Sequence, residues 1–355
     1  MCPSLSEADC RAVDGADMAA KIAGLPGQIR HQRAALAKDP WPRDLAPPSL
    51  LAVGGMGGSA IAADLVLGLA ADRLPFPTLV VRDERWPAAV RPGALAVLSS
   101  YSGATEETLA LCREAEGRAV ARVGLTTGGP LGERLTATRS PWKGLPAGLP
   151  PRAAVGYSVV SMALLLEALG DPGEGESASE EALAVLERGN ELYAPARPEA
   201  DNPAKALARG AVGRAVCVYG AAGWPAAVAR RVKGQINENA KTPAFELSLP
   251  EMNHNEIVGF EALSDLHPRL VAAFVLDHAA APRLGRRIAA TRTLLEEEGV
   301  VTFELAPRGE SALARLLSLV QLGDWLSYYL GVLAGVDPTP IVKIDRLKRA
   351  LKDGA

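Results

Sequence analysis

Several things are scarce in this chain, and each scarcity excludes a class of function. Its 355 residues include only four cysteines, Cys2, Cys10, Cys112 and Cys217, whose spacing matches neither a metal site nor a disulfide framework. A reducing, cytoplasmic setting is the expectation. Net charge is -3 and the arginines are spread along the chain rather than massed, which argues against a nucleic-acid partner. The longest apolar stretches, such as Val159 to Leu169, fall short of the about 20 residues that cross a membrane. The start, Met1-Cys2-Pro3-Ser4, runs into acidic residues and does not read as a signal peptide. What remains is a globular composition, 48% hydrophobic and 22% charged, long enough for two ordinary domains or one large one.

The most informative stretch is Ala96 to Thr108. A short apolar run, read as a buried strand, ends in Ser99-Ser100-Tyr101-Ser102-Gly103-Ala104-Thr105, and a helix-compatible run begins at Glu106. Hydroxyls and free backbone N–H groups then point at one spot, where a helix N-terminus adds partial positive charge. Such a spot suits a phosphate or another small anion. The loop has no lysine, whereas a nucleoside triphosphate loop carries Gly-Lys-Ser/Thr, so a phosphorylated metabolite fits better. One hydroxyl could merely cap the helix. A cap does not need Ser100, Ser102 and Thr105 together.

The pattern along the chain predicts parallel βαβ units. A helix is expected over Ser6 to Ala37, with Ser6 and Asp9 in a capping arrangement, broken by the Pro-rich segment Asp39 to Pro48. Strands are expected at Leu50–Val53, Thr78–Val81, Ala94–Leu98 and Ala119–Leu125, and a long apolar helix over Arg152–Leu169. Asp171 to Ser179 reads as a linker. A second alternating region follows, with strands at Ala215–Tyr219, Leu270–Leu276 and Val300–Leu305, an apolar helix over Ser311–Leu333 and a short amphipathic helix over Lys343–Leu351. The two halves echo each other as similar domains in a doubly wound α/β class. Only the first has the hydroxyl-rich loop, so the phosphate is expected there.

Other residues are ambiguous on their own. Gly54-Gly55-Met56-Gly57-Gly58-Ser59 could let backbone approach a ligand, or could serve close packing. Its glycines do not fit Gly-x-Gly-x-x-Gly, so a nicotinamide cofactor is disfavoured. Glu238 and His254 lie sixteen positions apart and could form an acid/base pair for enolisation beside a carbonyl. Spacing alone favours a solvated helix end and a loop histidine.

Taken together, Gly-Met-Gly-Gly-Ser, Ser-Tyr-Ser-Gly-x-Thr-x-Glu-Thr, Pro-Arg-Ala-Ala, Asn-Glu-Asn-x-Lys-x-Pro and Asn-His-Asn-Glu-Ile-Val-Gly occur in that order. From about Leu51 onward the chain resembles the bifunctional phosphoglucose/phosphomannose isomerases of the sugar isomerase (SIS) type. The resemblance implies two flavodoxin-like SIS domains with a C-terminal helix, and a homodimer with shared active sites that works without metal or cofactor. The implied division is 1–40 an N-terminal helical segment, 41–170 the phosphate-binding domain, 171–200 a linker and helix, and 201–355 the second domain. The reaction implied is interconversion of glucose 6-phosphate or mannose 6-phosphate with fructose 6-phosphate through a cis-enediol. The resemblance places the phosphate on Ser100, Ser102 and Thr105, and the sugar beside Gly57, Gly58 and Ser59. It makes Arg152 the active-site arginine, Glu238 the proton-transfer base and His254 the ring-opening histidine, which reaches the site from the neighbouring subunit in related isomerases. The C-terminal lysine falls on Lys348, with Lys343 the competing choice. One departure is Ala104, where the family usually has Asn. A sugar-phosphate sensor without turnover and another SIS-type isomerase are the alternative readings.

Overall fold

The computed structural model describes residues 4–353, so Cys2 lies outside the described residues. Three helices open the chain, α1 (Glu7–Val13), α2 (Met18–Ala23) and α3 (Leu25–Lys38), where the sequence predicts one. The break has a local cause. Asp14 turns its carboxylate onto the N–H groups of Met18 and Ala19, and Asp17 adopts φ 55° and caps α2 through Ala20 N–H. These side chains restart the helix instead of letting it run through. The Ser6 cap is present as expected, accepting from Asp9 N–H.

The first sheet follows. Strands β1 (Leu51–Gly55), β2 (Thr78–Val81), β3 (Leu95–Ser100), β4 (Ala121–Thr126) and β5 (Trp142–Gly144) lie parallel in the order β2-β1-β3-β4-β5. Their crossovers are α4 (Gly57–Ala70), α5 (Glu106–Gly117) and α6 (Gly129–Ala137). Strands β1 and β3 are buried along their whole length, which is why they read as continuous apolar runs. A 3-10 turn at Pro151–Ala153 then leads into α7 (Val155–Ala168), so the expected helix begins after Arg152 rather than at it.

The segment expected to be a linker is instead pinned. Buried Asp171 accepts from Arg73 Nε and Nη2 at 2.8 and 3.1 Å, Glu174 accepts from Arg73 Nη1 at 2.8 Å, and α8 (Gly175–Tyr193) starts immediately after. Helix α9 (Pro203–Ala211) precedes the second sheet, in which β6 (Ala215–Ala221), β7 (Ala244–Leu249), β8 (Leu270–Val275) and β9 (Val301–Leu305) lie parallel in the order β7-β6-β8-β9. Its crossover helices include α10 (Trp224–Asn239) and α11 (Pro282–Glu297). This repeats the first sheet's order with one strand fewer.

Helix α12 (Ala312–Leu333) runs through the middle of the molecule, and every residue from Ala314 to Leu333 is buried. It is long and apolar enough to cross a membrane, but its burial between protein layers makes it a core helix. Helix α13 (Val342–Asp353) ends the described chain and leaves Val342, Leu347 and Leu351 exposed.

Candidate functional site

Strands β1 and β3 are neighbours, with Gly55 opposite Ser99, while their crossovers depart in opposite directions. The loops β1–α4 and β3–α5 therefore open side by side at the point where strand order reverses, the usual ligand position in such sheets. Ser100 Oγ lies 2.8 Å from Thr105 Oγ1. Thr105 occupies the N-cap of α5 yet makes no capping bond, so the first N–H groups of that helix stay open to a ligand. Helix α4 begins in the same uncapped way after Met56. Ser59 joins the loops, its Oγ accepting from Tyr101 N–H at 2.9 Å and its carbonyl accepting from Ser99 Oγ at 2.8 Å. Ser102 is exposed at the mouth beside exposed Ala104, whose N–H donates to Ser102 Oγ at 3.3 Å. Gly103 holds the turn at φ +68°, and a Cβ there would sit 1.9 Å from the Gly128 carbonyl. Only glycine fits that position.

Arg152 is 3% exposed. Its Nε donates to Asn239 Oδ1 at 2.7 Å, Nη1 meets Glu238 Oε2 at 3.3 Å, and Nη2 donates to the Pro338 and Thr339 carbonyls, both at 2.8 Å. Burial pushes the guanidinium below its ordinary pKa and Glu238 opposes that push. Arginine nonetheless stays charged at neutral pH. The turn that carries it is held by Gln28 of α3, which donates to Ala153 O at 2.7 Å and accepts from Gly156 N–H at 3.1 Å. Gly58 packs directly on this turn, since a Cβ there would lie 3.0 Å from the Pro151 carbonyl group and 3.1 Å from Arg152 N.

Gly57, Gly58, Arg152, Arg231, Gln235 and Glu238 line one cleft of about 490 Å³. The structure thus gathers the glycine loop, the arginine and the glutamate from β1–α4, the Pro151–Ala153 turn and the last turn of α10. Glu238 is half-buried there, able to face both a substrate and solvent. Lys241 sits three residues on, with Nζ donating to the Glu238 carbonyl at 2.7 Å and to the Pro338 carbonyl at 2.9 Å. Burial, and then Arg152, lower its pKa to about 8. Sequence reasoning gave no role to Lys241, Asn239, Arg231 or Gln235. The signal available was the four-residue spacing of the last three, a polar row along the buried face of the helix. Among the described residues, no group of three or more His, Cys, Asp or Glu side chains is arranged to hold a metal ion.

A cavity of about 790 Å³ opens at the corresponding edge of the second sheet, lined among others by Ala221, Ala222, Gly223, Asp277 and His278. It has no serine or threonine in its wall and includes Asp72 and Asp277, which makes it a poor phosphate site.

Residues 200–351 match the family model for the bacterial phospho-glucose isomerase C-terminal SIS domain. The chain is 38% identical over 301 residues to the bifunctional phosphoglucose/phosphomannose isomerase of Caldicellulosiruptor bescii, covering 84% of this chain and 88% of that one. The chain belongs to the bifunctional phosphoglucose/phosphomannose isomerase family. The Aquifex aeolicus member is 36% identical over 88% of this chain and 93% of its own length. Among solved structures, a hypothetical protein from Thermus thermophilus superposes with a TM-score of 0.68 at 16% identity, covering 96% of this chain and 92% of that chain, a likeness of fold.

Of the residues that family resemblance points to, Ser59, Ser100, Ser102 and Thr105 form the neighbouring loops rather than the wall of this cleft, and His254 and Lys348 stand apart from it in the single chain. His254 ends the 3-10 turn Glu251–His254 after β7, is exposed, and lines no wall of the cleft. Lys348 is exposed on α13. A second cavity of about 810 Å³ bordered by Glu238 and Lys241 is lined instead by Lys343 and Arg346 of that helix.

Proposed function

We propose that this chain interconverts glucose 6-phosphate and mannose 6-phosphate with fructose 6-phosphate, as the names of its relatives indicate for those proteins. The observation that carries the reading is the Arg152–Glu238 pair, 3.3 Å apart in a cleft walled by Gly57 and Gly58, whose loop is tied through Ser59 to the hydroxyl loop at Tyr101. The phosphate binds at Ser100, Ser102 and Thr105 and the start of α5. This anchor orients C1 and C2 of the open sugar, with the chain running past Gly57, Gly58 and Ser59 toward Glu238. Glu238 takes the proton from C2, the freed electron pair forms the C1–C2 double bond, and the C1 carbonyl oxygen becomes an enediolate. Arg152 stabilises that developing negative charge with a fixed, dry cation. The C2 hydroxyl proton passes to the C1 oxygen, Glu238 returns its proton to C1, and the C2 oxygen becomes the ketose carbonyl. Glucose and mannose 6-phosphates differ only at C2, and the enediol erases that difference, so one base serves both.

The ring must open first. We assign this to His254 of a second copy, in a homodimer with shared sites. Exposed Val258, Leu263 and Leu266 follow His254, and exposed Val342, Leu347 and Leu351 face outward on α13. Clusters of exposed apolar residues on these two segments support an interface. A lysine of α13 assists. Lys343 borders the cavity next to Glu238 within one chain, and Lys348 lies further along the same helix. The domain division 1–40, 41–170, 171–200 and 201–355 is kept as a proposal. The free thiols of Cys10, Cys112 and Cys217 support a reducing, cytoplasmic location.

The test is fructose 6-phosphate formation from each aldose with EDTA present. Turnover of both sugars is expected. Sugar-phosphate binding with no turnover of either would replace this reading with a sensor.

A further inference from the structure

Arg152 comes from the first-sheet half of the molecule, but each side-chain partner it has lies in the second half: Glu238, Asn239 and the carbonyls of Pro338 and Thr339. The aim of the guanidinium therefore depends on what holds those partners. Asn239 is fully buried, and its Nδ2 donates to Ser327 Oγ of α12 at 2.9 Å. Ser327 spends its own proton on the Asp324 carbonyl at 2.7 Å, so toward Asn239 it can only accept. The amide NH₂ must face Ser327, which leaves the amide oxygen facing Arg152 Nε.

One turn earlier on α12, Asp324 accepts from Arg231 Nη2 at 2.6 Å and from Gln235 Nε2 at 2.7 Å. Arg231 Nη2 also donates to the backbone carbonyl of Arg152 at 3.0 Å. Arg231, Gln235 and Asn239 are four residues apart and form one row on α10, and Asp324 and Ser327 form the facing row on α12. The rows meet because the helices approach closely: a Cβ on Gly331 would lie 2.8 Å from the Asn239 carbonyl. Hydrophobic residues could fill this space without the desolvation cost that buried charges carry.

We propose that Asp324 and Ser327 are positioning residues, a two-point brace from α12 that aims Arg152 at the enediolate. Ser327 acts through Asn239 on the guanidinium, and Asp324 acts through Arg231 on the Arg152 backbone. Neither borders the cleft itself.

This inference rests on the isomerase reading, so wild-type turnover of glucose 6-phosphate is measured first; no turnover would remove that reading and the brace with it. With the wild type active, Ser327→Ala is expected to lower kcat about tenfold, since small misplacements of a reacting group are costly, while KM stays within about twofold because the phosphate loop is untouched. Affinity for a five-carbon aldonate 5-phosphate, whose carboxylate imitates the enediolate, should fall by the same factor as kcat. Ser318→Ala removes a hydroxyl from the same helix, one bonded to Arg308 N–H and the Arg315 carbonyl, and should leave kcat and analogue affinity unchanged. Ser327→Thr, which keeps the hydroxyl, should recover most of kcat. Should Ser327→Ala not fold, Asp324→Asn replaces it with the same expected pattern. Analogue affinity and kcat equal to those of Ser318→Ala, in a wild-type background that turns over, would overturn the brace.

Discussion

Arg152 and Lys241 donate to the same atom, the carbonyl oxygen of Pro338, at 2.8 and 2.9 Å. Two cations from different parts of the chain thus converge on one peptide group beside Glu238. Their mutual repulsion, added to burial, lowers the Lys241 pKa from 10.5 to about 8. A lysine with a depressed pKa in the folded protein gives stability that is fully present above the unfolded value and lost as pH falls through the folded value. Between pH 8 and 10.5, therefore, Lys241 makes the protein more stable as pH rises. Lys241→Met should remove this contribution. Denaturant titrations of both proteins at steps across that range should show the difference between wild type and variant growing with pH; a constant difference would contradict the assignment.

The hydroxyl loop is expected to control substrate affinity. Ser100→Ala and Thr105→Ala each delete a group that can donate to phosphate, and hydrogen bonds to charged groups contribute about 1.5–3 kcal/mol. KM for either hexose phosphate should rise roughly tenfold or more by that figure, with inhibition by inorganic phosphate weakened in parallel. An unchanged phosphate inhibition constant would put the phosphate elsewhere.

Gly103→Ala tests the shape of the same loop rather than its chemistry. At φ +68° and 1.9 Å from the Gly128 carbonyl, the new methyl must displace the loop. Such strain costs about 1–3 kcal/mol, and it should appear as a raised KM with the circular dichroism spectrum retained. Wild-type KM would show that the loop does not hold the ligand.

Much of this arrangement was legible in the sequence because it rests on local patterns. Buried parallel strands give uninterrupted apolar runs, and strand-to-helix turns gather glycine and hydroxyls, so β1, β3 and the Ser100–Thr105 loop could be read directly. What escaped depends on contacts distant in sequence or on single side chains. Edge strand β7 is half-exposed, with Phe245 60% exposed, and gives no apolar run. The break between α1 and α2 turns on where two aspartates direct their carboxylates. The Asn239–Ser327 and Arg231–Asp324 bonds join helices some ninety residues apart, as the separations of 88 and 93 show, and the four-residue spacing on α10 does not name the partners on α12. His254 was legible as a residue but not as a place: it is exposed and lines no wall of the Glu238 cleft within one chain, and its proposed service to a second copy is not written in any local pattern.

The proposed sharing of sites between subunits can be tested by mixing. Glu238→Gln and His254→Ala homodimers should each be nearly inactive. If His254 serves the neighbouring subunit, random exchange between them builds heterodimers with one intact site, and about a quarter of wild-type activity should return, given twofold symmetry. No recovery after verified subunit exchange would place both residues in the same site of one chain.

The measurement that bears most directly on the account is Glu238→Gln, assayed for turnover of glucose 6-phosphate and mannose 6-phosphate and for binding of each by calorimetry. Loss of a general base typically costs about 10²–10⁴-fold, and kcat should fall that far for both sugars while binding is largely kept. A variant that still isomerises either sugar at near the wild-type rate would contradict Glu238 as the base and, with it, the mechanism.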